Sequence, residues 1–275
     1  MNIFSAVLRE AIDVLYGAHQ TQEQYMKINI MTGGSRGLGR SMALHLADKG
    51  QDSIITYHSK KAEAEAVVKE ITAKGRKAVA LQLDVSKAVS FDGFVAEVKK
   101  ALTTTWKTEH FDHLVNNAGT GFGVLIADTT EAQFDEMMNI HVKAPYFLTQ
   151  KLLPVMNDGG RIINVSSGLA RFSFPSRAPY AIMKGAIEVF TRYLAKELGD
   201  RKITANTLAP GAIATDFGGG GTRDNPEINA HIAGMTPLGR VGLPDDIGAL
   251  AAAMLSDDFR WVNGQRIEAA GGFML

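Results

Sequence analysis

The chain has 275 residues, with 29 Lys and Arg against 29 Asp and Glu, and this zero formal charge excludes a nucleic-acid or anionic-membrane surface as its main partner. Hydrophobic residues at 45% and charged residues at 21% describe a globular chain that can bury a large core, which excludes disorder and fibre. The absence of cysteine removes a disulfide scaffold, a thiolate zinc site and a cysteine nucleophile together.

Residues 1–26 place Ile3, Phe4, Val7, Leu8, Ile12, Leu15 and Tyr16 at helical spacing and predict an amphipathic extension. Arg9, Glu10 and Asp13 interrupt it, so it reads as neither signal peptide nor membrane anchor. No window reaches the roughly eighteen uninterrupted apolar residues of a membrane helix, and a cytoplasmic location fits. The run KINIM (27–31) then stops at TGGSRGLG and is followed by a helical pattern from Ser41 to Lys49: strand, glycine loop, helix.

The same alternation repeats with SIITY (53–57), AVALQLDV (78–85), HLVNNAG (113–119) and RIINVSS (161–167), each followed by a helical pattern. The helix after the fourth strand starts near Glu131, and the one after the fifth starts near Pro179. ITANTLAP (203–210) and GQRIEAA (264–270) supply a sixth and a seventh strand. Strands alternating with crossover helices predict an α/β fold, one seven-stranded parallel sheet covered on both faces, in a single doubly wound domain over 27–275. Residues 216–235 open on Gly218 to Gly221, too flexible for an element interior, and are expected to form a mobile loop over a site.

Gly33, Gly37 and Gly39 lie where the first strand turns into the first helix, the place where backbone N–H groups hold a pyrophosphate. GGSRG also fits G-x-S-x-G, making Ser35 a hydrolase-nucleophile alternative, but that motif needs upstream strands to carry an oxyanion loop. An NAD site would place a carboxylate at the end of the second strand, whereas SIITYHSKK has none there. Arg36 in the glycine loop, with Ser59, Lys60 and Lys61 after the strand, suits a 2′-phosphate, so NADP(H) is expected over NAD(H). Tyr180 follows Ser167 by thirteen residues and precedes Lys184 by four, a spacing that puts Tyr180 and Lys184 on one helix face. A cation near a tyrosine hydroxyl favours tyrosinate and equips the pair to exchange a proton with an alcohol or carbonyl oxygen.

TGxxxGxG at 32–39, NNAG at 116–119, Ser167, the Tyr180/Lys184 pair and PGAIAT at 210–215, in this order, resemble the short-chain dehydrogenase/reductase family over essentially 27–275. PLGRVGLPDDI (237–247) and GQRIEAAGG (264–272) resemble its 3-oxoacyl-acyl-carrier-protein-reductase-like branch. The resemblance implies a Rossmann-type fold and a cofactor site built from Gly33, Ser35, Arg36, Gly37, Leu38 and Gly39, with Tyr57, His58 and Ser59 at the second strand. Asp84 and Val85 would flank the adenine, and Asn117, Ala118 and Gly119 would line the cleft. Pro210, Gly211, Ile213 and Thr215 would complete it, Thr215 at the carboxamide. Ser167 would bind the substrate oxygen, Tyr180 would transfer the proton, and Lys184 would hold the nicotinamide ribose and depress the Tyr180 pKa. The implied activity is NADP(H)-dependent carbonyl reduction or alcohol oxidation by a homodimer or homotetramer built on the helices from Glu131 and Pro179, where Gly185 and Ala186 allow close approach. A catalytically weak NADP(H)-binding sensor or scaffold is the alternative.

One position departs from the family pattern. MNIHVKAPY puts His141 where an asparagine commonly supports a water-linked proton path to the lysine, and Asn139 should face elsewhere. His141 is expected to keep that relay, since imidazole donates, accepts and titrates near neutrality. His110, Asp112 and His113 resemble a metal cluster but precede a strand whose neighbours point to opposite faces, so no metal is expected. Phe172, Phe174, Phe217 and the glycine-rich loop suggest a partly apolar, adaptable substrate pocket, leaving ketone, quinone, sugar and acyl-thioester substrates open. The apolar C-terminus is expected to be docked.

Overall fold

The structure is a computed structural model that describes residues 26–275; the extension expected over 1–26 lies, save Met26, outside the described residues. In chain order the elements are β1 (Ile28–Met31), α1 (Gly37–Asp48), β2 (Asp52–Tyr57), α2 (Lys61–Ala73), β3 (Ala78–Gln82), α3 (Phe91–Ala101), β4 (Phe111–Asn116), α4 (Glu131–Met138) and α5 (Ala144–Leu152). They continue with β5 (Met156–Val165), α6 (Ala178–Glu197), β6 (Thr204–Pro210), α7 (Gly221–Asp224), α8 (Pro226–Gly234), α9 (Pro244–Met254) and β7 (Arg266–Ala269). All seven strands pair in parallel, in the order β3-β2-β1-β4-β5-β6-β7. The order reverses between β1 and β4, and the crevice at such a switch point, outside the carboxyl ends of the strands, is where this architecture holds ligands.

Neighbouring residues on each central strand feed opposite cores. Ile30, Ile54, Leu114 and Ile162 pack with Phe91, Phe94, Val98 and Leu152 on one face, while Met31, Ile55, Val115 and Ile163 pack with Met42, Leu46, Val67 and Ile247 on the other. Because both faces are dry, the strands read as near-continuous apolar runs and need helices on each side. The polar exceptions form a buried ladder: Asn116 Nδ2 donates to Asn164 Oδ1 at 2.8 Å and Thr149 Oγ1 at 3.0 Å, and Asn164 Nδ2 donates to Thr191 Oγ1 at 2.9 Å. This ladder ties β4 and β5 to α5 and α6, the helices below the site.

Several boundaries differ from the sequence reading, among them β5, which spans Met156–Val165 rather than 161–167. β3 ends at Gln82 rather than Val85, because Asp84 Oδ1 accepts from Ser86 N and Ser86 Oγ and turns the chain. β4 ends at Asn116, since the backbone N–H groups of Asn117 and Ala118 bond the Thr32 hydroxyl instead of a neighbouring strand. Residues 216–235 are not a bare loop: they carry α7 and α8, the latter opened by Asn225, whose Oδ1 caps the N–H groups of Glu227 and Ile228. Gly218, Gly219 and Gly220 all have positive φ and make the turn that precedes these helices.

The pair α1 and α9 is packed tightly enough to test. A Cβ on Gly248 would sit 2.6 Å from His45 Nδ1 and closer still to Ser41 Oγ, which is itself held by Asp245. Gly248→Val is therefore expected to destabilise the domain by about 1–3 kcal/mol through overpacking; urea unfolding checks this, and an unchanged midpoint would refute the close contact.

Candidate active site

The turn from β1 into α1 depends on two glycines. Gly33 has φ +66°, and a Cβ on Gly39 would overlap the Gly33 carbonyl oxygen, so the first turn of α1 approaches the end of β1 as only glycine allows. Asn117 Nδ2 donates to the carbonyls of Thr32 (2.9 Å) and Gly33 (3.1 Å), and Thr32 Oγ1 accepts from the N–H groups of Asn117 and Ala118. Asn117 of NNAG is thus a brace between β1 and β4, while Asn116 belongs to the buried ladder between β4 and β5. The resulting N-terminus of α1 is open to an anion, with Ser35, Arg36 and Leu38 on its rim.

One continuous cavity of about 1150 Å³ runs from this turn across the carboxyl ends of the strands. Every residue expected at the site lines it: Gly33, Ser35, Arg36, Gly37, Leu38, Gly39, Tyr57, His58, Ser59, Asp84, Val85, Asn117, Ala118, Gly119, His141, Ser167, Tyr180, Lys184, Pro210, Gly211, Ile213 and Thr215. Lys60 joins them, whereas Lys61 turns aside to Glu65. Arg36 reaches the carboxylate of Asp216, so the guanidinium expected to meet a 2′-phosphate is paired here with the start of the segment over the site. Ser35 stands after the first strand among the described residues, with no strand before it to carry an oxyanion loop.

The candidate catalytic group is assembled from the end of β5 and from α6. Ser167 ends the extended segment after β5, its Oγ accepts from Leu169 N, and it lies near enough to Tyr180 to act on its proton. Lys184 lies one turn beyond Tyr180, buried, with Nζ donating to the Val165 carbonyl at 2.8 Å and lying 5.3 Å from the centre of the Tyr180 ring. Burial drives Tyr180 well above the ordinary tyrosine range, partly opposed by Ser167 and the Arg177 charge. Burial also brings Lys184 down to about 7. Ser167 and Arg177 act to lower the Tyr180 pKa, while Lys184 Nζ bonds the Val165 carbonyl and itself holds its proton weakly.

His141 occupies a five-residue π-helical turn, Asn139–Lys143, between α4 and α5. Its Nε2 pairs with the Thr120 carbonyl at 2.7 Å, and since a carbonyl only accepts, Nε2 carries the hydrogen and Nδ1 is left as an acceptor. Nδ1 is buried without a hydrogen-bond partner, and the ring meets Tyr180 edge-on at 5.2 Å. Burial, followed by the charge of Lys184, pulls His141 down to about 3 against the opposing Thr120 bond. A histidine titrating near neutrality is therefore replaced by one that stays neutral. Asn139 does not line the cavity, as expected.

Asp112 and His113 lie within β4 rather than before it, where His113 pairs with Gln51 and Asp112 accepts from Ile28 N and Asn157. Phe172, Phe174 and Phe217 line the substrate end with Phe122, Ile228, Ile232, Met235 and Phe273, which the sequence reading did not name. Their common signal is the apolar face of the 216–235 segment and the apolar terminus. Of that terminus, Phe273 is docked at 5% exposure while Leu275 is 98% exposed.

Lys184 gives a pH signature. Its folded value of about 7 lies below the ordinary 10.5, so between these the unfolded chain holds more protons and the stability that depends on Lys184 rises with pH. Below 7 the whole penalty of burying the ammonium applies. In Lys184→Met this rise, which has a slope of at most about 1.4 kcal/mol for each pH step of one, is expected to vanish; urea unfolding at several pH values checks it, and parallel pH slopes in the two proteins would refute it.

Comparison with known proteins agrees with this geometry. Residues 33–274 match the family model described as enoyl-(acyl carrier protein) reductase. The chain is 38% identical over 246 residues to an uncharacterized oxidoreductase of Methylorubrum extorquens, covering 90% of this chain and 97% of that one. It is 37% identical over 260 residues to a hydroxynaphthalene reductase-like protein of Metarhizium brunneum, covering 90% and 94%. Among solved structures it is similar to the angucycline C-6 ketoreductase LanV with bound NADP, at TM-score 0.85 and 34% identity, covering 90% and 95%.

Proposed function

Because the chain belongs to the short-chain dehydrogenase/reductase family and is an NADP(H)-dependent oxidoreductase, we propose that it reduces the carbonyl of a small-molecule ketone, with Tyr180 as the proton donor. The observation that carries this reading is that Ser167, Tyr180 and Lys184 line one cavity at the point where the glycine cradle meets its apolar half. The similarity to a hydroxynaphthalene reductase-like protein and to an angucycline ketoreductase supports a ketone on a ring system.

The cradle fits the cofactor: the α1 N-terminus and Gly33–Gly39 turn would hold the pyrophosphate, and Arg36 with Lys60 and His58 the 2′-phosphate, where β2 ends without a carboxylate. When bound, NADPH supplies the hydride. Ser167 and Tyr180 hydrogen-bond the carbonyl oxygen, stabilise the charge that grows on it and pass it the phenolic proton. Lys184, with a proton affinity near neutrality, is placed below the ring to hold the ribose and resupply that proton. His141 offers Nδ1 as a fixed acceptor beside Lys184 for the water of that path, acting as an oriented dipole rather than by titrating.

Exposed Tyr146 and Phe147 on α5, with Ile182, Val189 and Tyr193 on α6, support a homo-oligomer formed through these two helices, in line with the expected dimer or tetramer. No helix among the described residues is long and apolar enough to cross a membrane. A cytoplasmic location is kept as part of this proposal.

NADPH oxidation over a panel of ketones, diketones, quinones, sugars and β-ketoacyl thioesters tests the activity. Tyr180→Phe is expected to lower kcat by about 10²–10⁴-fold while NADPH affinity stays within about twofold. NADPH binding with no Tyr180-dependent turnover would return the chain to a sensor or scaffold. For His141, the shape of the pH–rate profile between about pH 5.5 and 8.5 is expected to be the same in wild type and His141→Asn, whereas His141→Leu should lose roughly tenfold in kcat by leaving the Thr120 carbonyl and the water of that path without their partner. A profile limb that disappears in His141→Asn would refute the neutral acceptor.

A further inference from the structure

One wall of the substrate cavity is made by the end of the chain. Phe172, Phe174 and Phe273 all face the cavity and form one aromatic cluster: Phe172 meets Phe174 edge-on at 5.7 Å and Phe273 at 5.3 Å, and Phe174 stacks on Phe273 at 6.1 Å. The wall begins beside the catalytic serine, because a Cβ on Gly168 would lie 2.7 Å from the Phe172 ring. Two of the three rings come from the segment after β5, but Phe273 lies only two residues from the C-terminus. A ring carried beyond the last strand needs an anchor to serve as a wall.

The anchor is Arg171. Its Nη1 donates to the Met274 carbonyl at 2.9 Å and its Nη2 to the Phe273 carbonyl at 3.3 Å. The same guanidinium makes a bidentate pair with Glu268 on β7, at 3.0 and 2.9 Å, and its carbon lies 5.4 Å from the centre of the Phe172 ring. Glu268 is also paired with Arg266, whose Nη2 donates to the Ser167 carbonyl at 3.2 Å and whose Nε donates to Glu188. A planar guanidinium with five donors can satisfy a carboxylate and two carbonyls at once, which a lysine cannot. The tail that carries Phe273 is thus connected through charge-assisted bonds to the backbone of the catalytic serine.

We propose that Phe273, held by Arg171, is the residue that selects a flat fused-ring ketone over a small acyclic one, and that Arg171 is its positioning residue. The inference rests on the ketoreductase reading above and names the substrate class of that site. Rings present large flat apolar faces, and an aromatic wall gains both area burial and face or edge contacts with them that a short aliphatic ketone does not offer. Arg171 touches neither substrate nor the reacting atoms, so its effect on catalysis has to pass through the tail.

The test uses the full chain and two ketones with NADPH: 1-tetralone, a bicyclic aromatic ketone, and 2,3-butanedione, a small one. Phe273→Ala is expected to raise KM for 1-tetralone roughly tenfold more than KM for 2,3-butanedione, within the range known for lost apolar contacts. Phe273→Tyr should restore the bicyclic KM to within about threefold of wild type. Arg171→Gln should reproduce the substrate-dependent pattern of Phe273→Ala, and the double variant should be no worse than Phe273→Ala alone, since residues of one unit do not add. Equal losses on both ketones, or additive losses in the double variant, would overturn the proposal while leaving the reductase intact. A wild-type protein that turned over neither ketone would overturn the reductase reading and this proposal with it.

Discussion

The site rests on the approach of the α1 N-terminus to the end of β1. A single methyl group on Gly39 would collide with the Gly33 carbonyl, and the Asn117 amide closes the same space from β4 by bonding the carbonyls of Thr32 and Gly33. Strand, helix and neighbouring strand therefore meet at one point with no slack. Backbone N–H groups can face a ligand there only because no side chain fills the gap. The switch in strand order puts this point at the mouth of a crevice, and the parallel register from β4 to β5 and β6 sets Ser167 and Pro210 on the same rim.

Burial, more than charge pairing, sets the chemistry next to it. Tyr180, Lys184 and His141 are packed against one another, and in each case desolvation is the largest influence on the proton. All three are driven toward their neutral forms, the tyrosine upward and the two bases downward. The proton inventory of the resting site is therefore one phenol, one lysine balanced near neutrality and one imidazole whose hydrogen stays on Nε2. Such a set stores no strong ion pair that the substrate oxygen would have to break. Burial and the charge of the neighbouring lysine keep His141 from charging.

How much of this was legible in the sequence follows the range of the interactions. The alternation of strands and helices, the glycine turn and the Tyr180–Lys184 pair depend on spacings of a few residues, so they could be read directly, and the ordered motifs located Ser167 and Thr215. The direction of the Tyr180 shift could not be read, because it depends on how much of α6 is covered by elements far away in the chain. The π-helical turn around His141 was equally hidden, since nothing in NIHVK marks one extra residue in a helical turn. Helices α7 and α8 were masked by the run of four glycines, three of which precede α7 and the fourth of which opens it. Arg171 and Glu268 are 97 residues apart, and only the fold reveals that they share a bond.

The two halves of the cavity are built by different means, and this bears on what each can do. The cofactor half stands on strand ends, glycine contacts and buried side-chain bonds, each of which fixes a backbone position. The substrate half is made of short helices over 221–234, an aromatic cluster and a chain terminus, joined to the sheet by exposed or half-buried ion pairs such as Arg171–Glu268 and Arg36–Asp216. Elements of the second kind have little buried contact of their own and open at lower free-energy cost than the strands beneath them. The glycine cradle is held by bonds that none of these side chains shares, since Asn117 and Thr32 close it from within the sheet. The aromatic cluster, by contrast, reaches the Ser167 carbonyl through Arg171, Glu268 and Arg266, so a change of ring size or tail length acts on the segment after β5 and leaves the cradle alone.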